Sequence, residues 1–143
     1  MKVINRKAHF EYELTDKFEA GINLYGFEVK AVKLGHADLS GSFVKIIGSE
    51  AYIVNSKIFP YKFAQSEGYE EGRTRKLLLH KKEIVGLKSK ADGEGLAIVP
   101  ISIYTTAKGL IKVELALGKG KKKWDKREAI KKREIRKSLN NVV

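Results

Sequence analysis

Hydrophobic and polar positions alternate along much of this chain, and the alternation sets the elements to expect. From Ala8 to Leu14, Ala8, Phe10, Tyr12 and Leu14 point one way while His9, Glu11 and Glu13 point the other. That is the period of a strand buried on one face. After Thr15-Asp16 a second strand, Lys17 to Tyr25, is expected to pair back on it as a hairpin. Phe27, Ala31 and Leu34 stand at helical spacing and are followed by Gly35, which predicts a helix with a glycine C-cap. Phe43 to Ile47 and Ala51 to Val54 flank Gly48-Ser49-Glu50, a turn of the right length for a second hairpin. Pro60 to Gly72 shows no sustained period and reads as a loop. Arg75 to Lys90 carries Leu78, Leu79, Ile84, Val85 and Leu87 in a mostly helical pattern that Asp92-Gly93 is expected to stop. Leu96 to Tyr104 and Leu110 to Leu117 alternate about Thr105 to Gly109 and predict a third hairpin.

Three hairpins make about six strands, interspersed with two short helices. The expected fold is mainly β: an OB-like closed antiparallel barrel with short flanking helices, since closure removes exposed sheet edges. A sandwich is the second choice. No internal repeat is visible.

Composition narrows the class. At 143 residues the chain has the size of one domain, and an apolar content of 43% is enough for a core. A formal charge of +12 repels itself, so it points to a polyanionic partner, nucleic acid before membrane. The absence of cysteine excludes a disulfide framework and any Cys-ligated metal site, and suits a reducing compartment. Met1 to Lys7 lacks the apolar stretch of a signal peptide, and no apolar run approaches a membrane span. A cytoplasmic location is expected.

The charge is concentrated at one end. From residue 119 to 137 there are eleven Lys and Arg against three Asp and Glu, which gives +8 of the total +12. The chain therefore divides into a body, residues 1–118, and a basic tail, residues 119–143. The tail has good helix formers and no proline, but its basic side chains cover almost the whole circumference of a helix. Its apolar stripe of Trp124, Ile135 and Leu139 is thin, so it has no face to bury against the body. Like charges at Lys122/Lys126 and Lys132/Arg136 oppose the helix in water, and phosphates relieve them. Disorder when free and a helix among RNA walls is the expectation; a merely solubilising tail is the plainer alternative. Trp124, alone of its kind and set among lysines, is placed to stack on a base or to lie back on the rim of the body. Membrane binding would need more large apolar residues than the tail offers.

Catalysis finds little support. His9, His36 and His80 are far apart and show no metal-ligand spacing, and Gly118-Lys119-Gly120-Lys121 lacks the spacing and hydroxyl of a nucleotide-binding loop. No cofactor is expected. The readings from residues alone are an RNA-specific factor, a general rRNA-binding protein and, well behind, a nuclease.

Five stretches together resemble one family. They are Asn5-Arg6-Lys7-Ala8, Phe18-Glu19-Ala20-Gly21-Ile22, Gly26-Phe27-Glu28-Val29-Lys30, Arg73-Thr74-Arg75-Lys76-Leu77-Leu78-Leu79-His80, and Gly118 to Glu128 with its Trp124-Asp125-Lys126-Arg127 centre. In order and in register, they resemble the small protein B (SmpB) family, which partners transfer-messenger RNA (tmRNA, or SsrA RNA). The resemblance implies a non-enzymatic role in trans-translation. Such a protein binds the tRNA-like domain of tmRNA, which alanyl-tRNA synthetase charges, and travels with it and elongation factor Tu. Together they enter the 70S ribosome stalled on a message without a complete codon, where the tail occupies the empty mRNA channel near the decoding centre. A monomer is implied.

By the same resemblance Asn5, Arg6, Lys7, Glu19, Leu78, His80 and Lys112 are expected to meet tmRNA, Glu19 by accepting from base amino groups. In the tail, Lys119, Lys121, Lys122 and Lys123 would meet rRNA, Gly120 would be the hinge and Trp124 the stacking residue. Asp125, Lys126 and Arg127 match the family's Asp-Lys-Arg signature for accommodation. The chain departs from the family pattern at Ala31, where serine is usual, at Lys57, where histidine is common, and at His80, where asparagine also occurs.

Overall fold

A computed structural model describes residues 1–60 and 68–121. In chain order it contains β1 (Lys2–Ile4), α1 (Arg6–Glu11), β2 (Tyr12–Ile22), α2 (Gly26–Lys33), β3 (Ala37–Asp38), β4 (Phe43–Ile47), β5 (Glu50–Val54), β6 (Lys57–Ile58), β7 (Arg75–Leu78), α3 (Lys81–Glu94), β8 (Ala97–Thr105) and β9 (Ile111–Gly120). Seven strands form one antiparallel sheet in the order β1-β8-β9-β2-β7-β5-β4, and β3 pairs with β6 as a separate ribbon.

The expected closed barrel of six strands is therefore corrected to a curled seven-stranded sheet. Among the described residues no ladder joins β4 to β1 or β8, although β4 packs against β8. The reason lies at Asn5. β1 pairs only with Ser102 to Tyr104 of β8, and then the chain turns into α1 instead of extending along the edge. The first half of β8 is left facing β4 across a hollow.

Two elements differ from the period-2 reading near the N-terminus. Arg6–Glu11 is helical because the Asn5 side chain caps it, Oδ1 accepting from the Ala8 N–H at 3.1 Å. Ala8 and Tyr12, four apart, then pack on one apolar cluster. The expected hairpin at Thr15-Asp16 is instead a bulge inside one eleven-residue strand, with Asp16 at φ 46°. A third correction concerns Arg75 to Lys90. Its first part is strand β7, drawn into the sheet between β5 and β2, with Arg75 and Leu77 buried. Helix α3 starts only at Lys81, runs through Asp92-Gly93, and stops at Gly95 in the left-handed region at φ 65°.

Helix α2, the hairpin β4–β5 and the hairpin β8–β9 fall where the pattern puts them. Gly68 to Gly72 is turn and coil, as expected for a loop; residues 61–67 lie outside the described ones.

The main core lies on one face of the sheet, where Ile98, Ile103, Val113, Leu115 and Leu117 meet Ile84 and Leu87 of α3 and Ala31 and Val32 of α2. Each of the Ile, Leu and Val side chains contributes about 1.5–3 kcal/mol by leaving water. A register shift between Pro100 and Ser102 lets Ile98 and Ile103 face the same way although they are five residues apart. On the other face α1 covers half the surface, with Ala8 and Tyr12 over Val99, Ile101 and Ala116. The other half is open.

Candidate nucleic-acid interface

The open half is built by register. Lys2 of β1 stands opposite Tyr104 of β8, Tyr104 opposite Lys112 of β9, Lys112 opposite Gly21 of β2, and Gly21 opposite Leu78 of β7. Directly opposed residues share a face, so one row crosses five strands. In the next row Glu19 of β2 stands opposite Glu114 of β9. Two residues after Leu78, His80 caps α3, its backbone N–H donating to Glu83 Oε1 at 3.1 Å.

Four of the residues expected to meet RNA thus converge. Glu19, Leu78, His80 and Lys112 line one open hollow of about 370 Å³, together with Gly21 and Lys76. Leu78, though a leucine in an apolar run, is 55% exposed. Lys112 is half-buried, and Glu19 and His80 are exposed. Lys76 pairs with Glu50 at 3.2 Å across the rim. The Tyr104 hydroxyl donates to Glu19 Oε2 and so fixes the carboxylate. Burial and that bond push the Tyr104 pKa up to about 12, so the hydroxyl stays a donor throughout the neutral range.

The N-terminal group is placed differently. Asn5 is buried, and its Nδ2 donates to the carbonyls of Leu39 at 3.1 Å and Pro100 at 2.8 Å. With Oδ1 capping α1, the side chain is fully engaged inside the protein. Arg6 and Lys7 beside it are exposed, Lys7 lying 3.9 Å from Glu11. They belong to α1, on the same sheet face as Glu19 but outside its hollow.

At the far end, the β9 ladder does not stop at Gly118 but runs to Gly120, opposite Tyr12. Gly118 is required there, because a Cβ would sit 2.9 Å from the Tyr12 ring. Lys119 and Gly120 are exposed; the Lys121 N–H donates to the Glu11 carbonyl at 3.0 Å and its Nζ to the His9 carbonyl at 3.3 Å. Lys122, Lys123, Trp124, Asp125, Lys126 and Arg127 lie outside the described residues.

A buried ionic cluster, which no periodicity reveals, holds β7 and hence Leu78 and His80. Glu28 on α2 and Arg75 on β7 are both fully buried and meet at 2.7 Å. Arg73 pairs with the same carboxylate, Tyr69 donates to it at 2.7 Å, and the Tyr25 N–H at 2.8 Å. Arg75 also donates to the carbonyls of Ser56 and Glu71. Burial works to raise the Glu28 pKa, but the bonds from Arg73, Tyr25, Tyr69 and Arg75 outweigh it and hold the carboxyl below its ordinary value. The only sequence signal was Glu28, Arg73 and Arg75 falling inside family-like segments.

Among the described residues no three His, Asp or Glu side chains gather as a metal site, and no helix is long and apolar enough to cross a membrane.

Comparison with known proteins places these features. The family model described as SmpB protein matches residues 2–143. A curated SsrA-binding protein of Chlorobium chlorochromatii (strain CaD3) is 47% identical, over 98% of this chain and 89% of its own. One from Thermosipho africanus (strain TCF52B) is 46% identical, over 100% of this chain and 97% of its own. A solved structure described as "tmRNA-SmpB: a journey to the center of the bacterial ribosome" is 40% identical, covers 90% of this chain and 94% of its own, and superposes with a TM-score of 0.72.

Proposed function

The chain belongs to the SmpB protein family, and from that premise we propose that it is an SsrA-binding protein of trans-translation. It binds the tRNA-like domain of tmRNA and with it rescues ribosomes stalled on messages that lack a complete codon. The observation that carries the reading to particular residues is the convergence of Glu19, Leu78, His80 and Lys112 on one open hollow. A carboxylate beside a lysine is suited to RNA: the cation meets phosphate, and the carboxylate selects base amino groups.

On this reading the curled sheet acts as an OB-like body and the segment from residue 119 onward as a basic tail for ribosomal RNA. Arg6 and Lys7 add phosphate contacts on the same sheet face, and Asn5 serves by fixing the start of α1. Lys119, Lys121, Lys122 and Lys123 face rRNA, Gly120 gives the hinge, Trp124 stacks at the decoding centre, and Asp125, Lys126 and Arg127 act in accommodation. The protein works in the cytoplasm as a monomer, with elongation factor Tu and alanyl-tRNA synthetase as partners through tmRNA. It catalyses no reaction of its own.

Glu19→Gln tests the hollow. Because Glu19 is exposed, the melting temperature should stay within about a degree, the range of a neutral surface change. Affinity for the tRNA-like domain of tmRNA should fall about tenfold. An equal affinity would remove Glu19 from the interface, and a large loss of stability would make it structural.

A further inference from the structure

The hollow between β4 and the first half of β8 has a volume of about 510 Å³, within the range that seats a small organic group. Its apolar lining comes from Ala8 and Tyr12 on the α1 side, Phe43 of β4, and Leu96, Ala97 and Ile98 about the start of β8. Phe43 is 39% exposed, so an aromatic ring stands partly open there. The chain leaves the sheet beside this hollow. Gly120 stands opposite Tyr12, and the Lys121 N–H donates to the Glu11 carbonyl; Tyr12 and Glu11 both line the hollow. The Lys121 Nζ donates to the His9 carbonyl as well, so the exit is held at two points. Trp124, the one tryptophan of the sequence, comes three residues later, a reach of about 10 Å at most.

We propose that this hollow is the resting seat of Trp124, taken by residues 122–125 of the same chain while no RNA is bound. The exit point supplies proximity. A tether of three residues holds the indole at an effective concentration on the order of millimolar, so even a weak contact is well populated. The lining supplies the chemistry: an indole buries a large apolar surface yet keeps its N–H at a wet edge, and the hollow has apolar walls within a charged rim. Charge follows the order of the chain. Glu11 stands beside the exit, where Lys122 and Lys123 enter, and Lys45 of β4 and Lys88 of α3 line the hollow from other elements, for the Asp125 that follows. Lys7, 3.9 Å from Glu11, and Asp92, four residues on from Lys88, complete a rim of both signs. Seated there, an aromatic ring is withheld from stray single strands, whose bases would stack on it without regard to sequence. The seat does not depend on which RNA the chain serves; only its release at the decoding centre rests on the tmRNA reading.

The single tryptophan makes the full chain its own reporter. Without RNA, its fluorescence should lie to the blue of that from a peptide of residues 119–128, and acrylamide should quench it several-fold less. Phe43→Ala should move both readings to the peptide's values while the far-ultraviolet circular dichroism stays unchanged. Lys45→Glu combined with Lys88→Glu, both at exposed positions, should do the same, and adding Asp125→Lys should restore the blue emission. Emission and quenching equal to the peptide's in the unaltered chain overturn the seat. So does a blue emission that neither Phe43→Ala nor the lysine pair changes, which would put the indole elsewhere on the body. A blue shift that fades on dilution overturns it too and assigns the hollow to the tail of a second copy. All three results leave the tmRNA reading standing, since binding of tmRNA is measured apart from them.

Discussion

Two carboxylates in this chain do opposite work, and their surroundings decide which. Glu19 is exposed and held by one tyrosine hydroxyl, so it is free to meet a ligand. Glu28 is fully buried and gathers Arg73, Arg75, Tyr69 and the Tyr25 N–H about itself. Removing a partner from such a cluster leaves charge stranded inside, which costs about 3–5 kcal/mol. Glu28→Gln should therefore lower the unfolding free energy at pH 7 by roughly that amount, measured by urea denaturation. Its pH dependence has a fixed sign. The folded carboxyl titrates below its ordinary value of 4.5, so its contribution is complete above that pH and is lost as the pH falls through the folded value. Replacing Glu28 should flatten the acid limb of the stability curve below about pH 4.5. An acid limb of unchanged steepness would mean that other carboxylates govern it. Tyr69, pushed up to about 12 by burial and by its bond to Glu28, keeps its donor proton throughout that range.

At the scale of elements, Asn5 decides the most. It ends β1, caps α1 and ties both to Leu39 and Pro100, so one side chain turns the N-terminus from sheet edge to sheet cover. Asn5→Ala should cost about 2 kcal/mol, the lost cap together with the lost bonds to the buried carbonyls of Leu39 and Pro100. Hydrogen exchange should speed most at the amides of Arg6–Glu11; uniform exchange across the sheet would deny the cap its local role. The same residue explains where pattern reading stopped short. Alternation from Ala8 to Leu14 imitates a strand because positions 8 and 12 satisfy both a period of two and a spacing of four. Thr15-Asp16 is turn chemistry that the fold uses for a bulge, and Arg75 to Leu78 is drawn into strand by neighbours distant in sequence. Where local signals and pairing agree, as in α2 with Gly35 and the hairpins at Gly48 and Gly109, the elements were legible. For the candidate site, the resemblance named Glu19, Leu78, His80 and Lys112, and the sheet register brings them together. Tyr104 and the Glu28 cluster left no trace in spacing, because their partners lie 85 and 41 to 47 residues away.

At the scale of the whole molecule, one sheet face holds the proposed RNA contacts. Its open half presents Glu19, Lys112 and Leu78; its covered half bears α1, from which Lys121 takes the chain into the basic segment that follows. On the proposed reading, tmRNA meets the open half of that face. Because the β9 ladder reaches Gly120 and Lys121 is anchored to α1, a cut that spares the body belongs after Lys121, not after Gly118. The most direct test is to sequence the RNA that copurifies with the intact chain and with the chain ended after Lys121. A single tRNA-like species, tmRNA, should dominate both samples, with ribosomal RNA falling away from the shortened one. Bulk ribosomal RNA without tmRNA in the intact sample would contradict the account.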